Sequence, residues 1–186
     1  MVVLQNDKYE CNGTLIYYDS YDLNEPAILI LPQSIGFMGY LKRATSADAD
    51  FQSLVKLLDA DLAIRDGAEH SFYAQYNGIA HLQNVVVYYV ANIPVGCGAF
   101  KPYDETRVEI KRMYVLPEYR GKRIAQIVLE ELEKWATELN YNACLLETGK
   151  KQPEAIRLYE KSGYALMPNY GQYENVENSV CMRKTI

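Results

Sequence analysis

The segment from Val115 to Ala125 has the residue types and spacing best suited to binding a phosphate group. A strand-like run ends, a short loop with Gly121 follows, and an amphipathic helix begins. The first amides of a helix lack intrahelical partners and carry partial positive charge, so they bind anions. Glycine lets the backbone approach a ligand closely, and Arg120, Lys122 and Arg123 add charge. A solvated basic turn capping the helix explains the same residues equally well.

Regular elements on both sides must position this loop. Val108 to Val115 reads as a strand ended by Pro117, and the helix after the loop has a continuous apolar face up to Leu139. That face consists of Ile124, Ile127, Val128, Leu132, Trp135 and Leu139. A buried strand is predicted over 143–147, and a helix begins at Pro153 and stops at Gly163.

The remaining periodicities complete an α/β domain with a mixed sheet. A helix is predicted from Thr45 or Ser46 to Gly67, followed by a short helix or loop over 69–76. Alternating β-branched and aromatic residues predict a hairpin over 85–90 and 95–101, and late strands over 164–167 and 180–183.

Residues 1–38 differ from the rest and form an N-terminal extension to a domain of residues 39–186. They contain two β-like runs, Thr14 to Tyr18 and Ala27 to Leu31. The turn-rich Asp22 to Pro26 separates these runs. The pattern predicts an extra β-hairpin packed on the main domain.

Composition narrows the class of protein. The chain has 186 residues and a net charge of -5, which argues against nucleic-acid binding and favours cationic ligands such as amines. The four cysteines contain no CxxC pair and no metal spacing, so we expect reduced thiols in a cytoplasmic protein without a metal. Neither a signal peptide nor a membrane-length apolar run is visible, so no membrane partner is expected.

The Arg120–Ala125 run resembles the acetyl-CoA loop of the GNAT superfamily, Gln/Arg-x-x-Gly-x-Gly/Ala. The flanking segments 109–115, 146–149 and 155–164 are similar to the family's neighbouring strands and helix, in the same order. The resemblance implies an acetyl-CoA-dependent N-acetyltransferase. It also implies a mixed, mostly antiparallel central sheet with a splayed parallel strand pair and flanking helices. Arg123 departs from the family's glycine, and we expect it to have helical φ and to reach a CoA phosphate.

The resemblance also implies roles for individual residues. Backbone groups of Met113 and Val115 would pair with the pantetheine arm of the cosubstrate. Tyr159 would protonate the departing CoA thiolate, although periodicity alone favours a core tyrosine at that position. The pyrophosphate would be held by Arg120, Gly121, Lys122, Arg123, Ile124 and Ala125.

A general base is needed where the acceptor is an alkyl amine. Glu109 matches an acidic position that some relatives use for this purpose, and a salt bridge with Lys111 or Arg112 is the equally weighted alternative. Glu147 is a second candidate at the acceptor site. Two histidines, His70 and His81, are expected on the surface or in loops.

The acceptor itself stays open between three hypotheses. The first is a small amine, in a cleft bordered by the N-terminal hairpin and the 168–178 loop, with Tyr170 and Tyr173 as contacts. The second is a peptide N-terminus or lysine in an open groove. The third is a CoA-binding regulatory module without turnover. A homodimer is also left open.

Overall fold

The computed structural model describes Lys8–Cys11, Thr14–Tyr17, Ile28–Ile30 and residues 39–186. Its helices are α1 (Ala49–Asp66), α2 (His70–Ala74), α3 (Ile124–Glu138) and α4 (Pro153–Lys161). Short 3₁₀ helices cover Gly67–Glu69, Pro117–Tyr119 and Gly171–Tyr173. The strands are β1 (Lys8–Cys11), β2 (Thr14–Tyr17), β3 (Ile28–Ile30), β4 (Gly39–Ala44), β5 (Asn84–Val90), β6 (Ile93–Pro102), β7 (Arg107–Val115), β8 (Ala143–Gly149), β9 (Ala165–Met167) and β10 (Ser179–Thr185).

Eight strands form the main sheet, in the order β3-β4-β5-β6-β7-β8-β10-β9. Every neighbouring pair is antiparallel except β7 and β8, which are parallel. The predicted mixed, mostly antiparallel sheet with flanking helices is therefore confirmed.

The parallel pair separates part-way along its length, as expected. Its register begins at Arg107–Ala143 and ends at Ile110–Leu146. Beyond that point β8 continues against β10 as far as Gly149, while β7 continues against β6 as far as Val115. The carboxyl ends of β7 and β8 thus diverge within one sheet.

A β-bulge lies on β7 where the two strands part. Cys97 pairs with Tyr114 and Ala99 with Lys111, so two residues of β7 face Gly98 alone. The first of these two, Arg112, has a φ of 60°, and a bulge of this kind bends the strand and turns its groups aside.

Helices cover both faces of the sheet, because alternate side chains of each strand point to opposite sides. Val86 and Tyr88 pack on the same side as Val128 and Leu132 of α3. On the other side, neighbouring residues of β5 pack with α1. The predicted apolar face of α3 is buried or partly buried against the core as far as Trp135, whereas Leu139 is exposed at the helix end.

The pairing expected in the N-terminal segment is wrong. The runs Thr14 to Tyr18 and Ala27 to Leu31 do contain strands, but β2 pairs with β1, and β3 pairs with β4 at the edge of the main sheet. The turn proposed at Asp22 to Pro26 lies outside the described residues. Each of the two runs therefore pairs with a strand outside the expected hairpin, β2 with the strand before it and β3 with the strand after it.

Helix α1 begins later than the sequence predicts because Asp48 caps it. The Asp48 carboxylate accepts a hydrogen bond from the Phe51 amide at 2.9 Å, and its second oxygen accepts one from Lys42 Nζ at 2.8 Å. The helix ends at Gly67, which has a φ of 58°, as the sequence indicates.

We predict that Asp48→Ala lowers the free energy of unfolding by about 1 kcal/mol, because an amide at the helix start loses its acceptor. Urea titration measures this change. Asp48→Asn is the matched control, since asparagine also caps helices but removes the charge that faces Lys42. A loss in the Asn variant as large as in the Ala variant would assign the effect to the ion pair and contradict the cap.

Candidate active site

A cavity of about 460 Å³ occupies the space between the diverging ends of β7 and β8. Five further elements complete its wall: α1, α2, the loop after β7, the start of α3, and α4. Of the residues expected at the site, it brings together Met113, Val115, Arg120, Gly121, Arg123, Ile124, Ala125, Glu147 and Tyr159.

The loop predicted to bind phosphate is held by its own cations, and Arg120 joins it to the end of β7. Arg120 Nε donates to the Val115 carbonyl at 3.0 Å, and the guanidinium lies over the Tyr114 ring. Lys122 does not line the cavity, and its Nζ donates to the Glu118 carbonyl at 3.2 Å. Gly121 has a φ of 75° and open space where a Cβ would stand, so glycine is needed there for the backbone conformation.

The expected helical φ at Arg123 is wrong. Arg123 caps α3 with a φ of 65° and a ψ of 6°, a left-handed conformation. The chain arrives extended at Arg120 and turns through Gly121 before the helix starts at Ile124. Two left-handed residues make that reversal, and the second one is not a glycine, which strains the backbone. The Arg123 side chain extends along the surface, where Nε donates to Gln126 at 3.3 Å.

Tyr159 lies in the cavity wall and in the main core at once. Its ring centroid is 5.7 Å from that of Tyr164, on the face of the sheet that α3 covers. Burial raises the pKa of the Tyr159 hydroxyl well above its ordinary value, and the nearby Glu147 charge adds to this. The hydroxyl therefore holds its proton at neutral pH.

Glu147 lies in the cavity wall on β8, where its carboxylate accepts a hydrogen bond from Ser179 Oγ at 2.6 Å. The Tyr73 hydroxyl of α2 lies 3.4 Å from the same Ser179 oxygen. Burial raises the pKa of Glu147 to about 7, against the opposing effect of the Ser179 hydrogen bond. A carboxylate with this pKa can exchange a proton near neutral pH.

Glu109 occupies a different place. It is buried outside the cavity lining, where Lys101 Nζ lies 3.0 Å and Lys111 Nζ 3.3 Å from its oxygens. The salt bridge with Lys111 is thus present, whereas Arg112 pairs with Asp59 of α1 instead.

The two tyrosines expected to contact the acceptor surround Glu109. The Tyr170 hydroxyl donates to Glu109 at 3.4 Å, and the Tyr173 hydroxyl accepts from Lys111 at 3.2 Å. Both rings are buried with Leu145 and do not line the cavity. Lys111, which does line it, donates to the Tyr173 hydroxyl and so connects this pair to the cavity.

Sequence reasoning missed the wall that α1 and α2 supply. Leu58, Leu62 and Tyr73 line the cavity there, and Arg65 crosses to Glu154 of α4 in an ion pair. Their spacing is that of an ordinary helix face, so nothing in the sequence marks them. His70 and His81 do not line the cavity, and His70 Nδ1 lies 3.7 Å from Asp66.

Within the described ranges, no group of three His, Cys, Asp or Glu residues is arranged to hold a metal ion. No helix in this part of the chain is long and apolar enough to cross a membrane. Cys97, Cys144 and Cys181 are buried free thiols.

The family model for the acetyltransferase (GNAT) family matches residues 49–164, which is more than half of the chain. The chain belongs to the GNAT acetyltransferase family. The matched region runs from the start of α1 to the residue before β9, and so contains the whole cavity wall described above.

The chain is also similar in sequence to individual acetyltransferases. An IAA acetyltransferase of Azospirillum brasilense is 40% identical over 93 residues, 50% of this chain and 61% of that protein. The uncharacterized N-acetyltransferase YjgM of Escherichia coli is 31% identical, over 57% of this chain and 64% of its own length. The chain thus matches less than two thirds of the length of either relative.

A candidate acyl-CoA N-acyltransferase from Klebsiella pneumoniae has a similar structure, with a TM-score of 0.66 and 27% identity over 80% of this chain and 97% of that one. The PaiA N-acetyltransferase of Thermoplasma acidophilum, solved with coenzyme A, has a TM-score of 0.60 at 16% identity over 82% of this chain and all of its own. The second likeness is one of fold alone.

We predict that Arg123→Gly stabilises the protein by about 1 kcal/mol, because it restores the GNAT glycine at a left-handed position and removes the strain. Thermal melting measures the gain. Lys122→Gly is the matched control, since it also exchanges a loop cation for glycine but at a residue without positive φ, and we expect it to melt lower than the parent. Equal melting temperatures for Arg123→Gly and the parent would contradict the strain.

Proposed function

We propose that this GNAT protein transfers an acetyl group from acetyl-CoA to a primary amine of a small molecule. One observation carries the proposal: the same cavity is lined by residues of the Arg120–Ala125 loop, by Tyr159 and by Glu147. A phosphate-binding loop, an acid and a base are the parts that acetyl transfer from a CoA thioester requires.

Acetyl-CoA would lie along the open edge of β7. Beyond Ile110 this edge has no partner on the β8 side among the described residues, and Met113 and Val115 line the cavity there. Free backbone groups of a strand edge can pair with the amides of the pantetheine arm as with another strand. The loop amides that follow would then hold the pyrophosphate.

The acid and the base approach the thioester from opposite faces of the sheet. Tyr159 belongs to the core on the α3 side, whereas Glu147 connects through Ser179 to Tyr73 of α2 on the other side. The amine would therefore arrive from the α1 and α2 side. The CoA sulfur would leave towards Tyr159.

The chemical step needs both groups. The amine nitrogen forms a bond to the carbonyl carbon and gives its proton to Glu147. The C–S bond then breaks, and the thiolate takes the proton of the Tyr159 hydroxyl. At pH 7 an alkyl amine of pKa ~10.4 is almost wholly protonated, and making it neutral costs about 4.6 kcal/mol. We place the base at Glu147, because the Glu109 oxygens face two lysines and a tyrosine outside the cavity.

The size of the cavity supports a small acceptor. Its volume of about 460 Å³ must hold the end of the cosubstrate as well as the acceptor. This is at the lower end of the range for small-molecule sites, and the Arg65–Glu154 ion pair joins two of its walls.

The test is a screen of amines, amino acids, polyamines and folded proteins with acetyl-CoA, in which released thiol is measured for the parent and for Tyr159→Phe. We expect turnover with small amines. Because only the hydroxyl is removed, Tyr159→Phe should bind acetyl-CoA normally and lose kcat by ~10²–10⁴-fold. A normal kcat would remove Tyr159 from the mechanism. Turnover with folded proteins alone would overturn the small acceptor.

We predict that kcat/KM rises with pH through about 7, because Glu147 must be ionised to accept a proton. Glu147→Gln should lower kcat/KM by ~10²–10⁴-fold and remove this limb of the profile.

The raised pKa of Glu147 also has a consequence for the stability of the protein. Relative to an ordinary pKa of 4.5, the buried carboxyl favours folding at low pH, and this contribution is lost as pH rises through about 7. The melting temperature of Glu147→Gln should therefore fall less than that of the parent between pH 5 and 8.

Glu109→Gln is the matched control for the base. It removes a carboxylate of the same type from a neighbouring strand, outside the cavity lining. We expect the limb near pH 7 to persist in this variant. A profile that loses the limb in Glu109→Gln and keeps it in Glu147→Gln would reverse the assignment.

A further inference from the structure

Arg112 has a buried guanidinium with unused hydrogen-bond donors. Its side chain is 2% exposed, and Nη2 donates to Asp59 Oδ1 at 2.5 Å. Among the residues that the structure describes, Nε and Nη1 have no hydrogen-bond partner. Leaving charged donors buried without acceptors is costly, so a structure that holds them in place is suited to a ligand that supplies the acceptors.

The cavity is where such a ligand would bind. Arg112 lines it together with Glu147 and Tyr159, and it is the one cation among the buried charged residues of the described chain. Two other cations that line the cavity have carboxylate partners: Lys111 pairs with Glu109, and Arg65 pairs with Asp61 and Glu154.

The backbone fixes where the guanidinium points. Arg112 is the first bulge residue of β7, and its φ of 60° turns it out of the regular alternation of the strand. Its contact with Asp59 puts the side chain on the α1 side of the sheet. The α1 side is the one from which we propose that the amine arrives, whereas the α3 helix that follows the phosphate loop covers the opposite face.

We infer that the acceptor carries a carboxylate near its amine and that Arg112 binds this carboxylate through Nε and Nη1. The inference rests on the proposed function and names its substrate class, an amino-acid-like acceptor. Such a molecule matches both charges of the wall, because its amine faces Glu147 and its carboxylate faces Arg112. Hydrogen bonds between two charged groups are stronger than neutral ones, particularly where water is excluded.

The experiment compares amino acids with their carboxamides, which keep the amine and lose only the negative charge. The parent should show a kcat/KM at least tenfold higher for the acid than for the amide, as charged hydrogen bonds imply. Arg112→Met should abolish this preference and keep turnover of the amide. The variant is expected to fold, because the Asp59 side chain is 49% exposed and remains solvated. Arg112→Lys, which keeps the charge but not the planar fork, should lose most of the preference.

Arg65→Met is the matched control, because it removes a cavity cation whose donors are already occupied, and the ratio of acid to amide should persist in it. Calorimetry gives a second readout: with CoA present, the parent should bind the acid more tightly than the amide, and Arg112→Met should not. This binding pattern would support the inference even if no amine is acetylated. A lack of acetylation would overturn only the proposed function. An acid preference that survives in Arg112→Met, or is absent from the parent, would overturn the inference. A loss of CoA affinity in Arg112→Met as large as the loss for the acid would assign Arg112 to a phosphate and overturn it as well.

Discussion

The structure depends on the point at which β7 and β8 stop pairing. Four residue pairs of parallel register hold the two strands together, and after Ile110–Leu146 each strand follows its antiparallel neighbour instead. Every backbone group in a sheet interior needs a partner, so the separation leaves an edge of β7 that another extended molecule can satisfy. The cavity and the unpaired edge both follow from this one divergence.

The bulge on β7 changes which side chains face α1 at the point where the strands diverge. A regular strand would alternate its side chains strictly between the two helical layers. The extra residue opposite Gly98 breaks that alternation. The side chains of the consecutive residues Lys111 and Arg112 therefore lie on the same side of the sheet, the side of α1. Gly98 makes room for the arrangement, because a Cβ there would lie 2.4 Å from Met113 Sδ and 2.9 Å from Leu132 Cδ1.

Much of the fold could be predicted from the sequence, because its signals are local. Pro153 and Gly163 bound α4, and the apolar face of α3 is buried as its periodicity indicates. The site was harder to predict, since it depends on distant parts of the chain. Glu109 and Glu147 are both carboxylates on central strands, and only the divergence of those strands puts one in the cavity wall and leaves the other among lysines. The left-handed φ of Arg123 follows from a turn whose two ends are fixed by β7 and α3, and arginine is not a residue that indicates this conformation.

The position of α1 and α2 in the chain separates the pairing of the sheet from the shape of one cavity wall. Both helices lie between β4 and β5, which pair directly with each other from Gly39–Val90 to Ala44–Val85. The register of the sheet therefore does not depend on what connects these two strands. Substitutions on the cavity-facing side of α1 and α2 can therefore change that wall while the pairing of β4 with β5 stays the same. One excursion of the chain can thus reshape the cavity without altering the strand order of the sheet.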